Sequence, residues 1–225
     1  MATPEHPWRH LMLLISILVL FIIGPFVLTF RHGVLILNVA GVAVLVAGTY
    51  ALSERKHLFA IAILLSAISI LGTCLLLVFP QRWAVLLSHS FILVLLAFFC
   101  ITILAFVLNG SRVTSDKIFA AVCVYLLMGY AWSFAYAMLD ELQPQSFAAS
   151  TEVGFHDYPA RILQFRYFSF MTLTTVGYGD IVPRSPAART MTILEAVMGR
   201  FYLVALVGRL VGLHIVHGSD PRSRA

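Results

Sequence analysis

The sequence predicts an all-α integral membrane protein with six transmembrane helices and one re-entrant helix. Of its 225 residues, 60% are hydrophobic and only 11% are charged. Soluble globular domains carry about 25% charged residues, so this composition excludes them. A helix needs about 20 apolar residues to cross the hydrocarbon core of a bilayer. Six segments meet that requirement: Leu11–Phe30, Val34–Leu52, Leu58–Phe79, Trp83–Leu108, Ile118–Leu139 and Ala187–Val216.

The region between the fifth and sixth segments differs from the other connections, which are short. It begins with polar residues from Asp140 onward and continues into an aromatic stretch, Leu163–Leu173, that is too short to span a bilayer. Irregular backbone at membrane depth is tolerated only where it is buried in protein or lines a water-filled path. We therefore predict a re-entrant helix followed by irregular backbone inside the assembly.

Other function classes receive little support from the sequence. The net charge of +5 comes mostly from arginines in short connections, so we attribute it to membrane topology and expect no nucleic-acid partner. The cysteines Cys74, Cys100 and Cys123 lie inside apolar segments without metal-binding spacing. Ser88-His89-Ser90 has no carboxylate in the N-terminal segments to orient its imidazole. We predict an interhelical polar contact there, and we expect no enzyme activity.

The most informative motif follows the predicted re-entrant helix and reads Thr174-Thr175-Val176-Gly177-Tyr178-Gly179-Asp180. Its glycines can adopt a positive φ without a Cβ clash, which lets neighbouring carbonyl groups point the same way. The motif resembles the TVGYG selectivity filter of potassium channels, in which carbonyl oxygens from four chains replace the hydration shell of the ion. The resemblance implies potassium binding at Thr175, Val176, Gly177 and Tyr178, with Gly179 completing the filter.

Residues 118–217 resemble the two-helix pore module of tetrameric potassium channels, and the whole chain resembles a prokaryotic six-helix channel of that superfamily. The resemblance implies a four-helix bundle over residues 1–117, a pore module over 118–217 and a cytoplasmic tail over 218–225. It further implies a homotetramer in the lipid of the inner membrane, with both termini in the cytoplasm. Potassium would be the permeant ion, with no cofactor and no small-molecule substrate.

By the same resemblance, Leu163–Thr174 is the pore helix, and Tyr167, Met171, Thr174 and Asp180 support the filter. Met171 stands where some relatives carry a glutamate that pairs with the aspartate after the filter. This carboxyl pair is therefore missing. Tyr167 is expected to donate a hydrogen bond to the surroundings of the filter, and Asp180 to form the outer mouth.

The sixth segment presents a stripe at helical spacing that we expect to face the pore: Gly199, Leu203, Val207 and Val211. Gly199 stands where related channels often place a hinge, and a packing glycine is the alternative. Arg200 is adjacent to the stripe, where four copies would repel potassium. We expect Arg200 to turn towards a neighbouring subunit and to meet Glu195 or a backbone carbonyl.

The sequence is less informative about gating. The fourth segment contains no Arg or Lys, so we expect no steep voltage dependence. His214 and His217 end the sixth segment, and rings of protonated histidines would push the helices apart at low cytoplasmic pH. The alternative is that both histidines only sit at the lipid headgroups. A non-conducting or regulatory channel homologue, or a potassium-transporter subunit, remains the alternative function, and Arg200 is the residue that supports it.

Overall fold

The computed structural model describes residues 8–27, 30, 32–53, 55–109, 114–149 and 158–218, with the side chains at 158, 159, 207 and 210–218 left out. These residues form helices and two short strands, which in chain order are α1 (Arg9–Val27), α2 (Gly33–Ala51), α3 (Lys56–Val78), α4 (Arg82–Leu108), α5 (Ser115–Leu142), β1 (Phe147–Ala149), α6 (Tyr158–Leu173), β2 (Ile181–Pro183) and α7 (Pro186–Gly218).

The predicted helical membrane architecture is confirmed. Helices α1 to α5 are each long and apolar enough to cross a membrane. The sixth predicted span lies within α7, a single helix of 33 residues that starts at Pro186. Proline suits the first helical position because its missing N–H has no partner there in any case. The re-entrant helix is α6, which has 16 residues and is shorter than a transmembrane span.

A small antiparallel strand pair departs from the all-α prediction. Phe147 of β1 lies opposite Pro183 of β2, and Ala149 lies opposite Ile181. The pair joins the two ends of the region that contains α6, and the backbone N–H of Arg184 extends it by donating to the Ser146 carbonyl at 2.8 Å. Strands of three residues are too short to show an alternating hydrophobic pattern, so sequence periodicity could not reveal them.

The main hydrophobic core extends across the predicted boundary between residues 117 and 118. It contains fully or almost fully buried side chains from α1, α4, α5 and α6, among them Leu13, Ile17, Leu95, Phe99, Val124 and Phe170. The N-terminal helices of the chain therefore pack on the fifth helix and on the re-entrant helix of the same chain. The sequence does not decide whether the N-terminal helices pack on the pore module of their own chain or on that of a neighbouring subunit.

A polar contact holds the N-terminal ends of α1 and α5 together. Nδ1 of His10 lies 2.7 Å from Oδ2 of Asp116, and the imidazole stacks on Phe106 with ring centroids 4.8 Å apart. Elsewhere, His89 is fully buried in α4, with Nδ1 2.6 Å from the Val85 carbonyl oxygen and its ring against Phe134 of α5. The contact between His89 and α5 is therefore one between rings, while the hydrogen-bonding distance to Val85 lies within α4, and the predicted polar contact between helices stays a prediction.

Candidate functional site

The filter segment, residues 174–180, is attached to the C-terminal end of α6. The backbone N–H groups of Val176 and Gly177 both donate to the Met171 carbonyl, at 2.9 and 3.1 Å, and that of Thr175 donates to the Thr172 carbonyl at 2.9 Å. The last carbonyls of a helix have no partner inside the helix, so the filter segment satisfies them. Consequently, the backbone N–H groups of Val176 and Gly177 point towards α6.

The backbone of the filter segment alternates between negative and positive φ. Thr175, Gly177 and Gly179 have φ values of +60°, +56° and +78°. The expectation of positive φ at the two glycines is confirmed, while a positive φ at a threonine is strained and uncommon. Alternation of this kind lets successive carbonyl groups point to one side. Within the single chain, the side chains of Val176 and Tyr178 are 51% and 72% exposed.

Asp180 forms local hydrogen bonds at the C-terminal end of the filter segment. Its Oδ1 accepts from the backbone N–H of Ile181 at 3.1 Å. The Tyr167 hydroxyl also forms a hydrogen bond with the Asp180 side chain, as the sequence led us to expect. Tyr167 therefore links α6 to Asp180, at the C-terminal end of the filter segment. Met171 contributes its backbone carbonyl to the filter segment instead of a carboxylate.

Helix α5 supports the back of the re-entrant helix. Ser169 Oγ donates to the Gly129 carbonyl at 2.8 Å, and the Tyr125 hydroxyl donates to the Leu173 carbonyl at 3.2 Å. A Cβ atom on Gly129 would lie 2.7 Å from the Phe170 ring, so only glycine permits this close approach of the two helices. These contacts fix the height and rotation of α6 relative to α5.

Glu195 of α7 is fully buried behind the re-entrant helix. The Tyr136 hydroxyl donates to Glu195 Oε2 at 2.5 Å, and Ser169 Oγ contacts Oε1. Full burial of Glu195 within its own chain leaves no access for Arg200 of a neighbour, so this pairing does not fit the structure, while the alternative of a backbone carbonyl on a neighbouring subunit stays a prediction. The sequence identified Glu195 only as a carboxyl group in an apolar span, and the hydroxyl groups that contact it come from distant segments.

Gly199 faces α6 rather than an open space. A Cβ atom there would lie 2.8 Å from both the carbonyl oxygen and Cδ1 of Leu173. This contact fits the packing alternative for Gly199, and the hinge remains a prediction. Leu203, the next residue of the expected stripe, is 40% exposed. The side chains of Val207, Val211, His214 and His217 lie outside the described residues.

Arg200 lies directly beneath the filter segment. Its Nη2 donates to Thr175 Oγ1 at 3.1 Å. The two residues line a cavity of about 460 Å³ together with Ala196, Val197, Phe201 and Val204. Residues 196, 200 and 204 therefore form the face of α7 that lies next to Thr175. This face is rotated about the helix axis from the predicted stripe that begins at Gly199.

Arg166 is a buried arginine whose role the sequence did not reveal. Its side chain is almost fully buried, and Nη1 donates to the Leu20 carbonyl and to the Tyr130 hydroxyl, each at 3.3 Å. The guanidinium also lies over the Phe21 and Tyr130 rings, at 5.7 and 5.5 Å from their centroids. In the sequence, Arg166 counts only among the charges outside the six apolar segments. Its acceptors could not be found from the sequence, because they belong to α1 and α5, which are far from Arg166 along the chain.

In the comparison with known proteins, the part of the chain that contains the filter segment matches one family. Residues 118–213 match the family described as "Ion channel". The chain is 32% identical over 101 residues to the voltage-gated potassium channel Kch of Escherichia coli. The aligned region covers 45% of this chain and 22% of Kch. It is 44% identical over 45 residues to the two-pore potassium channel 4 of Arabidopsis thaliana, covering 20% of this chain and 16% of the relative.

The matches span less than a quarter of the length of either relative. No solved structure matches the chain. Both relatives are potassium channels by name, and the family match includes α5, α6, the filter segment and most of α7.

Proposed function

We propose, from the match of residues 118–213 to the ion channel family, that this protein is a potassium-selective channel that conducts ions passively. The observation that carries the proposal is the filter segment itself. It has the complete TTVGYGD sequence, alternating φ, and amides held by the C-terminal end of α6. Selectivity then comes from backbone oxygens that replace the hydration shell of potassium.

A homotetramer in the inner membrane, with both termini in the cytoplasm, is part of the proposal. Each chain has a single filter segment, and a ring of coordinating oxygens requires four. The exposed side chains of Val176 and Tyr178 would then pack against neighbouring protein rather than water or lipid. Potassium ions would bind at Thr175, Val176, Gly177 and Tyr178, with Gly179 forming the outer end of the row.

Electrostatics favours a cation on this path. The C-terminal end of a helix carries a partial negative charge, and α6 ends directly at the filter segment. The carboxyl group of Asp180 lies at the opposite end of the same segment. The helix end and the carboxyl group would each lower the energy of a cation near them, and Arg200 would act in the opposite sense at the inner end.

Potassium flux into proteoliposomes tests the proposal. We expect flux that greatly exceeds sodium flux under the same gradient and that barium blocks, with empty liposomes as the control. Equal sodium and potassium flux would remove the selectivity proposal. Absence of any flux from tetrameric, correctly folded protein would favour the alternative of a non-conducting or regulatory homologue or a transporter subunit, which the Arg200–Thr175 contact supports.

We propose in addition that cytoplasmic pH modulates the channel through His214 and His217. Histidine gains a proton as the pH falls through about 6.5, so fourfold rings at the end of α7 would repel each other and open the pore. The double variant His214→Ala, His217→Ala should lose the increase in flux between about pH 8 and about pH 5. Identical pH profiles for the double variant and the native protein would show that both histidines are only interfacial.

A further inference from the structure

We propose that Arg200 competes with potassium for the inner end of the filter and thereby limits the rate of conduction. This inference rests on the proposed function, because it assigns a rate-limiting contact within the same pore. The contact that carries it is the hydrogen bond of 3.1 Å from Arg200 Nη2 to Thr175 Oγ1. Thr175 is the residue whose hydroxyl would supply the innermost oxygen ligand of the filter.

A guanidinium and a potassium ion need the same oxygen. Arginine has only donors and remains charged at any physiological pH, so the Thr175 hydroxyl must act as the acceptor in this contact. A potassium ion at that position would likewise need a lone pair of Thr175 Oγ1. The hydrogen bond therefore places a fixed positive charge on an oxygen that the permeant cation would use.

The cavity around Arg200 offers the guanidinium few other polar groups. Besides Thr175 and Arg200, the lining residues are the apolar Ala196, Val197, Phe201 and Val204. Guanidinium is weakly hydrated and planar, and it suits a position between apolar side chains and one polar acceptor. The lining thus favours the side-chain position in which Arg200 reaches Thr175.

The nearest carboxyl group on the same helix does not neutralise Arg200. Glu195 is fully buried behind α6, where Tyr136 and Ser169 contact its two oxygens. No acidic residue is among those that line the cavity. In a tetramer, the four guanidinium groups would therefore raise the energy of a potassium ion in the cavity by direct repulsion.

Single substitutions of Arg200 test this inference by potassium flux in proteoliposomes. Arg200→Gln keeps a hydrogen-bond donor and removes the charge, and we expect roughly a tenfold or greater rise in potassium flux. Arg200→Lys keeps the charge and should raise the flux much less than Arg200→Gln does. Arg209→Gln, which removes a charge from the same helix further from the filter, serves as the matched control and should leave the flux within about twofold.

The possible results separate this inference from the proposed function. Equal flux through the native protein and Arg200→Gln overturns the role of Arg200 and leaves potassium conduction intact. A rise in Arg200→Gln without preference for potassium over sodium supports the competition but overturns potassium selectivity. If Arg200→Gln does not fold, Arg200→Met, which fits the apolar lining, replaces it. Absence of flux from every folded variant overturns both proposals.

Discussion

Three buried side chains, one from each of α5, α6 and α7, connect these helices next to the filter segment. Tyr136 of α5 and Ser169 of α6 both contact the carboxyl group of Glu195 in α7, and all three residues are fully or almost fully buried. A buried carboxyl group is costly unless its oxygens are hydrogen-bonded. This cluster therefore fixes the position of the pore helix relative to the helices that flank it.

Tyr136→Phe removes one of these hydroxyl groups and leaves Glu195 Oε2 without its donor. We expect the assembled protein to lose about 1–3 kcal/mol of stability, because a buried acceptor without a partner is expensive. Thermal unfolding of the purified protein measures the effect. Tyr50→Phe, at a position that is 44% exposed, is the matched control and should change little. Equal melting temperatures for the two variants would contradict the supporting role of the cluster.

At the scale of elements, Arg166 attaches the re-entrant helix to α1. The guanidinium lies so close to α1 that a Cβ atom on Gly24 would be 2.1 Å from Nη2. Arg166 donates from this position to the Leu20 carbonyl of the same helix. The absence of a side chain at Gly24 thus leaves room on α1 for a charged side chain from α6.

Gly24→Ala should lower stability because its methyl group would displace the Arg166 guanidinium from its acceptors. The matched control is Gly41→Ala in α2, where a Cβ atom meets nothing within 4 Å. Alanine is favoured over glycine in a helix by about 1 kcal/mol, so the two substitutions should shift the melting temperature in opposite directions. A rise in melting temperature for both would contradict the close contact between Arg166 and α1.

The double variant Gly24→Ala, Arg166→Gln extends this test. The shorter Gln side chain leaves space for the added methyl group, so the effect of Gly24→Ala should be smaller in the Arg166→Gln background. Non-additivity of this kind identifies residues in direct contact. Additive shifts would mean that Gly24 acts without Arg166.

At the scale of the whole molecule, we propose that the four N-terminal helices act as a scaffold for the pore. They share one core with α5 and α6, and α4 carries no Arg or Lys from Trp83 to Leu108. Steep voltage sensing needs several charges that move through the membrane field, each contributing about 2.3 kcal/mol per 100 mV. Residues 83–108 of α4 carry no such charge, and most of the buried residues of α4 belong to the core shared with α5.

Open probability in planar bilayers should therefore vary only weakly between about −100 and about +100 mV. Single-channel recording at symmetrical potassium concentrations measures this directly, and Arg82→Gln removes the arginine at the N-terminal end of α4 as a control for surface charge. A steep sigmoidal dependence on voltage would show that charges outside α4 act as the sensor.

The membrane class, the helices and the filter segment could be predicted because each depends on local sequence. Apolar runs of sufficient length identify α1 to α5, and Gly177 and Gly179 permit the positive φ that the structure shows. The strand pair β1–β2 and the contacts of Arg166 could not be predicted, since their partners are far apart in the chain. The sequence could not fix the orientation of α7, because a helical wheel gives relative angles between residues and no reference to the neighbouring helices.

The sequence by itself determined that this chain lies in the membrane and contains a filter segment of the potassium-channel kind, since composition and backbone freedom are local properties. Only the tertiary structure decided the positions of its three notable charges. Glu195 is buried with Tyr136 and Ser169, Arg166 binds α1, and Arg200 reaches Thr175. A charge in an apolar span must find a partner, and the folded helices determine which partner is within reach.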